Sequence, residues 1–148
     1  MLSITHGLTG AFIASHLANP LYSFPTIITV HYLQDLIPHW DLGTGLTKHL
    51  KTKKLAFFQE LLIDFPLSAL FVYFIFRQYQ TFSIYPWLGW FFGLLPDFIE
   101  FPYLFLNWRF FPITHLARLH AFTHRSTNHK IIGLLPQFAI IIAIYYLN

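Results

Sequence analysis

Every acidic residue of this chain lies within or beside a strongly apolar stretch of sequence. A carboxylate in apolar surroundings costs several kcal/mol unless it is protonated, paired or bound to a cation. The fold must therefore supply a partner for each of these groups. The chain has nine histidines, and those at helical spacing from one another or from an acid are the candidate partners. The six acidic residues are Asp35, Asp41, Glu60, Asp64, Asp97 and Glu100.

The chain has too few charged residues to cover the surface of a soluble protein. Of its 148 residues, 55% are hydrophobic and 10% are charged, whereas a soluble domain carries about 25% charged residues. We therefore expect residues 1–148 to form a single membrane-embedded domain. The alternative is a soluble helical protein that is buried in a large oligomer. The absence of cysteine excludes disulfides, cysteine-type zinc sites and thiol catalysis.

The apolar segments predict an all-α, integral membrane helical bundle. Residues 7–37 are interrupted by Pro20 and Pro25, which favours two short helices over about 5–18 and 25–37. With a rise of about 1.5 Å per residue, each is roughly 20 Å long and too short for a ~30 Å bilayer core, so a broken N-terminal hairpin is expected. About three further spans are predicted, over 55–76, 84–106 and 131–147.

The distribution of positive charge predicts the orientation of these spans. Eight of the nine lysines and arginines fall within residues 38–54 and 107–130. The two spans between these segments bring both to one side of the membrane, which the positive-inside rule predicts to be cytoplasmic. We therefore expect the unusual polar residues to gather near the cytoplasmic side of the membrane.

The segment from His31 to Asp41 has the spacing of a metal site. Residues four apart share one face of a helix, so His31 and Asp35 point the same way. Pro38 ends the helix and allows His39 and Asp41 to return toward them. Imidazole and carboxylate are the usual ligands of zinc and similar divalent ions. The alternative interpretation is a capped helix end that carries a His–Asp pair.

A second group of histidines follows in the basic segment near the C-terminus. His120 and His124 are again four residues apart, and His129 lies about one turn further on if the helix continues. Arg125 is placed to meet an anionic group such as phosphate, because its planar guanidinium binds oxyanions well. The alternative is a basic interfacial loop that contacts lipid headgroups.

Two of the predicted spans each contain a pair of acids, Glu60 with Asp64 and Asp97 with Glu100. Ionisable residues inside a membrane are functional by default. These four could bind a metal, orient ligating histidines or act as a general base. The alternative is that they are protonated and hydrogen-bonded across helices. His6, near the N-terminus, could complete the site or be a partly exposed interfacial histidine.

Three segments carry a resemblance to a known family. They are Thr5-His6-Gly7-Leu8-Thr9-Gly10, Gly93-Leu94-Leu95-Pro96-Asp97 and His124-Arg125-Ser126-Thr127-Asn128-His129. In them the chain resembles the bacterial membrane-bound metal-dependent hydrolases, which show an N-terminal Thr-His, a Leu-Pro-Asp segment and a His-Arg-Gly-x-Thr-His box. Ser126 and Asn128 depart from that box, so the third match depends on His124, Arg125 and His129. The resemblance implies an all-helical hydrolase with a metal centre in a bacterial-type inner membrane.

The segment containing His31, Asp35, Pro38 and His39 is also similar to the metal-binding helix of a second group. This group is the zinc-dependent phospholipase C and single-strand nuclease superfamily, in which His-x-x-x-Asp is followed by Pro and His. The interval before the second histidine is shorter here. The resemblance implies hydrolysis of phosphoesters at a zinc cluster.

Together these patterns predict a metal-dependent hydrolase that acts on a phosphoester, with a lipid headgroup among the candidate substrates. We expect a divalent metal, zinc first, and more than one ion, because the ligand set exceeds one coordination sphere. Glu60 or Glu100 is the predicted general base, and Arg125 is predicted to bind the substrate oxyanion. The predicted metal ligands are His6, His31, Asp35, His39, Asp41, Asp64, Asp97, His120, His124 and His129.

Other functions stay open. Membrane lipids are expected partners, an oligomer is compatible with the sequence, and no specific binding of nucleic acid is expected. Intramembrane acids near prolines would also suit an ion carrier, or a structural or regulatory membrane protein with a stabilising metal. A membrane di-iron oxidase uses similar ligands, but the chain lacks the repeated His-x-x-His-His boxes expected of one.

Overall fold

The computed structural model of the chain describes residues 1–17, 19–44, 53–77 and 83–148, and these residues form an all-helical fold. This confirms the all-α class. The isolated bridge between His39 and Ser126 is the one β-type pairing in this part of the chain. Lys48, His49 and Lys51 of the first basic segment lie outside the described residues. The helices are α1 Ser3–His16, α2 Pro20–Asp35, α3 Lys53–Phe76, α4 Tyr85–Phe105, α5 Ile113–Thr123 and α6 Lys130–Leu147.

The N-terminal hairpin is present as two short helices, but its second helix begins five residues earlier than predicted. Asn19 caps α2 by accepting a hydrogen bond from the Leu21 N–H at 3.0 Å, and Pro20 occupies the first turn, where a missing N–H costs nothing. The prediction that Pro25 starts the helix was therefore wrong. One turn into α2, Pro25 removes only one N–H···O bond.

Glycines allow α1 and α4 to cross with their backbones in contact. A Cβ atom on Gly10 would overlap the carbonyl oxygen of Gly89, and one on Gly89 would overlap that of Gly10. Likewise, a Cβ on Gly93 would overlap the carbonyl of His6. Because only glycine fits at such a crossing, these residues bring the start of α1 against the middle of α4.

An irregular turn inside α3 directs its two acids toward the start of α1. Residues Glu60–Asp64 form a π-helical segment, the kind of bulge that is frequent at functional sites. Asp64 Oδ2 accepts a hydrogen bond from the Ser3 N–H at 2.6 Å, and Glu60 Oε1 accepts a short one from the Ser3 hydroxyl. The two acids therefore satisfy the first polar groups of α1.

Among the described residues, two helices are long and apolar enough to cross a membrane, α3 and α6. They coincide with two of the three further spans that the sequence predicted. The third predicted span, over 84–106, corresponds to the 21-residue helix α4, which is not among the two helices that are long and apolar enough to cross a membrane. The five-helix membrane bundle stays a prediction.

The described residues 38–44 of the first basic segment contact the second basic segment, residues 107–130. The N–H of His39 donates to the carbonyl of Arg125 at 3.1 Å, and the N–H of Thr127 donates to the carbonyl of His39 at 2.7 Å. Lys53 Nζ, at the start of α3, donates to the carbonyl of Leu104 at 2.6 Å, near the end of α4. The second basic segment, residues 107–130, is not wholly a loop, because it contains α5.

Candidate metal centre

Asp35 lies at the centre of a buried cluster of histidines. Its own side chain is fully buried. Its Oδ1 lies 3.1 Å from His6 Nε2 and 3.6 Å from His39 Nε2. Its Oδ2 lies 2.8 Å from His120 Nε2 and 3.4 Å from His31 Nε2. One carboxylate thus faces four imidazoles, each through the same ring nitrogen.

The other ring nitrogen of each histidine is held from outside the cluster. His31 Nδ1 lies 2.7 Å from the carbonyl of Gly93, and His39 Nδ1 lies 2.8 Å from the carbonyl of Ile37. A carbonyl oxygen can only accept, so in both rings Nδ1 carries the hydrogen and donates it. In the neutral ring, the Nε2 lone pair then points toward Asp35, as it does in a metal-ligating histidine.

His6 has the same arrangement, and the Nδ1 of His120 faces a carboxylate. His6 Nδ1 lies 3.0 Å from Gln34 Oε1, and the Gln34 amide is oriented by donating from Nε2 to the Thr9 hydroxyl at 2.7 Å. His120 Nδ1 lies 2.7 Å from Glu100 Oε2. A carboxylate behind a histidine fixes its tautomer and makes it a stronger ligand. All four rings therefore share one orientation toward the centre.

Ligand atoms converge in two groups that share Asp35. The first subsite comprises Asp35, His31, Asp97 and His120, whose candidate ligand atoms all lie within 4.8 Å of one another. Asp97 Oδ1 is 3.7 Å from His31 Nε2 and 3.5 Å from His120 Nε2. Two nitrogens and two carboxylates within this distance could hold one divalent ion.

The second subsite comprises Asp35, His39 and His124, again within 4.8 Å, with Asp41 beside them. Asp41 Oδ2 lies 3.1 Å from His39 Nε2 and 2.9 Å from His124 Nε2. The two Nε2 atoms are themselves 3.1 Å apart. Because Oδ2 of Asp35 faces the first subsite and Oδ1 faces His39, this carboxylate could bridge two ions.

Both subsites offer the nitrogen and carboxylate ligand atoms that divalent cations bind. Among the residues that the structure describes, the buried Nε2 of His31 has no hydrogen-bond partner, although two carboxylates face it. A cation between them would satisfy this atom. Burial opposes ionisation of Asp41, yet hydrogen bonds with His124 and His39 hold its pKa well below the usual range. Asp41 is therefore ionised at neutral pH and could contribute an anionic ligand.

Positive charge already faces Asp35 from two directions. The amino group of Met1 forms an ion pair with Asp35 Oδ1 and lies 2.8 Å from His6 Nε2. Burial disfavours the charged form of His120, but hydrogen bonds with Asp35 and Glu100, together with the charge of Asp97, raise the pKa of His120 to about 10. A metal ion at the first subsite would have to displace this proton.

The structure brings together most of the residues singled out from the sequence and places four elsewhere. Asp64 and Glu60 contact the start of α1 through Ser3. Arg125 and His129 are exposed, and the His129 N–H donates to the Thr127 hydroxyl. Their predicted roles stay predictions. The residues that gather at the centre are His6, His31, Asp35, His39, Asp41, Asp97, Glu100, His120 and His124.

Gln137 is a buried polar residue of this region that the site prediction omitted. Its Oε1 accepts from the Leu2 N–H at 2.8 Å and from the Thr5 hydroxyl at 3.2 Å. Its Nε2 donates to the carbonyls of Trp40 at 2.7 Å and Gly133 at 2.9 Å. It joins the start of α1 and the loop after His39 to α6. A lone amide inside an apolar helix was the available signal.

Comparisons with known proteins leave the family open. No family model matches the chain, and neither a curated protein nor a solved structure shows significant similarity to it. Function must therefore be argued from the site itself.

Proposed function

We propose that this protein is a membrane-embedded, metal-dependent hydrolase that acts on a phosphoester. The observation that carries this proposal is the sharing of Asp35 by two subsites of imidazoles and carboxylates. Two ions held by a common carboxylate suit phosphoester hydrolysis, in which both the attacking and the leaving oxygen need stabilising. The segments around His6, Asp97 and His124 support membership of the membrane-bound metal-dependent hydrolases. Zinc is the first candidate metal, since nitrogen and carboxylate ligands suit it.

The character of α3 and α6 supports placement in a membrane. Only 22% of the most apolar stretch of α3, and 17% of that of α6, is buried within the protein. The core helix of a soluble protein would be mostly covered. Lipid would cover the remaining apolar surface. The contact of residues 38–44 with the second basic segment favours a cytoplasmic metal centre in an inner membrane.

Individual residues of the site have distinct tasks in this proposal. A divalent ion supplies Lewis-acid activation of water and of the phosphoryl group. Glu100 Oε2 lies 2.7 Å from His120 Nδ1 and would stabilise the proton on that nitrogen, so that Nε2 could bind the ion once its own proton is displaced. The Asp97 side chain, 34% exposed, marks the open edge by which water and substrate enter. Arg125, next to His124 and exposed, is available to bind the substrate oxyanion.

The test is metal content together with hydrolysis. Protein purified in detergent and reconstituted with zinc, manganese or iron is analysed by mass spectrometry and assayed with a chromogenic phosphodiester. Wild type should retain stoichiometric metal and turn over substrate, and Asp35→Asn should lose both properties. His16→Ala is the control, because it changes an exposed histidine outside both subsites. Wild-type protein that binds none of the three metals would refute the proposal.

A non-enzymatic ion carrier is the second candidate, favoured by the acids of α3. Glu60 and Asp64 lie in a π-helical segment of a helix that is apolar enough to span the membrane. Irregular helices with polar groups at depth are typical of ion pathways. Metal flux into proteoliposomes without phosphodiester turnover would support this function. Iron as the retained metal, with oxygen-dependent turnover, would instead support the di-iron oxidase.

A further inference from the structure

The connection between α4 and α5 exposes large aromatic side chains. Trp108, Phe110 and Phe111 follow one another closely, and Phe111 is 77% exposed. Nearby, the Arg109 guanidinium lies over the ring of Tyr103, with its central carbon 3.8 Å from the ring centroid. Clustered exposed aromatics are uncommon on a water-facing surface and mark an interaction site.

Helix α5 continues this surface, because the ring of Phe111 lies 5.3 Å from that of His115, centroid to centroid. Its exposed residues His115, Arg118, Leu119 and Phe122 recur at the three- and four-residue spacing of one helix face. Phe122 is 84% exposed. His120, which lies in the first subsite, is buried. The helix thus directs one residue to the metal centre and leaves an apolar and basic face without cover from the described residues.

The charge around this face indicates what it contacts. Residues 107–130 include Arg109, Arg118, Arg125 and Lys130 but no acidic residue. Lys130 also begins α6, one of the two helices that could cross a membrane. Arginine with tryptophan and phenylalanine beside a spanning helix is the composition of a segment that lies among anionic headgroups.

We propose that the α5 face, defined as Trp108, Phe111, Arg118, Leu119 and Phe122, contacts the anionic headgroup layer of the bilayer. Because the buried side of the same helix carries His120, this contact sets the metal centre at headgroup depth. A lipid phosphoester would then reach the centre without leaving the membrane. The access of a lipid phosphoester rests on the proposed function, whereas the contact between the α5 face and the headgroups does not.

The test uses the natural absence of cysteine. Single variants Phe111→Cys and Phe122→Cys of the full chain carry a nitroxide label, with Asn128→Cys as the exposed polar control. The protein is reconstituted in vesicles of phosphatidylcholine mixed with phosphatidylglycerol, and paramagnetic resonance measures label accessibility to oxygen and to a water-soluble nickel complex. Labels at 111 and 122 should favour oxygen, and the control should favour nickel.

Other accessibility patterns would overturn the proposal. Nickel access at 111 and 122 equal to that of the control would mean that the face is in water. Exclusion of both reagents would mean that protein covers it. The contribution of charge is tested in two ways. The double variant Arg109→Gln/Arg118→Gln should increase nickel access of the label at 122, and so should vesicles made of phosphatidylcholine alone. An unchanged label would contradict the anionic contact.

The result is independent of the proposed function. Label depth is measured without metal or substrate, so a protein that binds no metal can still place the α5 face in the headgroups. Conversely, a metal-loaded, active protein with a water-exposed α5 face would retain the hydrolase proposal and overturn this one.

Discussion

Asp35 Oδ2 lies 2.8 Å from His120 Nε2, although the two residues are 85 positions apart in the chain. Asp35 is the last residue of α2, and His120 is in the last turn of α5. The N–H of Arg125 also donates to the backbone carbonyl of Asp35 at 2.9 Å. The hairpin and the C-terminal basic segment are therefore joined at one residue, where the two subsites meet.

Changing one histidine should remove one ion and leave the other. His120→Ala should lose the ion of the first subsite and His39→Ala that of the second, because each ring belongs to one group. Metal-to-protein ratios after zinc reconstitution and desalting measure this. His16→Ala, at an exposed histidine bonded to the Phe12 carbonyl, is the control. Loss of both ions from each single variant would contradict separate subsites.

Glu100 should control affinity at the first subsite without being a ligand. Glu100→Gln weakens the group that holds His120 Nδ1, and loss of such a partner lowers metal affinity roughly 10- to 100-fold. Competition with a chromogenic chelator gives the affinity of each subsite. The second subsite, held by His39 and His124, serves as internal control. Equal weakening at both would indicate a general structural effect.

Gln137 should position the second subsite. Gln137→Leu removes the amide that donates to the Trp40 carbonyl, so the loop bearing His39 and Asp41 loses its attachment to α6. We expect the ion of that subsite to be lost while the first ion remains.

A matched variant and a spectroscopic readout separate positioning from simple destabilisation. Gln34→Leu removes a different buried amide, which holds His6, and should leave the second subsite intact. The visible spectrum of cobalt-loaded protein reports each ligand set. If Gln137→Leu and Gln34→Leu change the spectrum identically, Gln137 has no specific role at the second subsite.

Metal binding should release protons and strengthen with pH. In the metal-free protein the pKa of His120 is raised to about 10, against burial, by hydrogen bonds with Asp35 and Glu100. The ring is therefore protonated at pH 7, and it must become neutral to bind an ion. Affinity at the first subsite should rise roughly tenfold per pH unit while one proton is displaced, and level off near the pKa.

Calorimetry in buffers of different ionisation enthalpy counts these protons. Wild type should release more protons per bound zinc than His120→Ala. A binding enthalpy that is independent of the buffer would show that His120 is already neutral in the metal-free protein.

Local sequence spacing was sufficient to predict several parts of the fold and site. The four-residue interval between His31 and Asp35 and the break at Pro38 depend on helix geometry and proline chemistry, which act within a few residues. The long apolar runs that became α3 and α6 were predictable for the same reason. The helix start at Pro20 was missed because it depends on the side chain of Asn19.

The sequence by itself determined the types of ligand, the all-helical class and the face on which Asp35 and His31 lie. Only the tertiary structure decided which distant residues meet them. The glycines that let α1 and α4 touch bring His6 against Gly93, whose carbonyl also holds His31 of α2. The π-helical turn of α3 takes Asp64 to Ser3 instead. The physical reason is that helix periodicity sets directions within an element, whereas distances between elements depend on how closely their backbones pack.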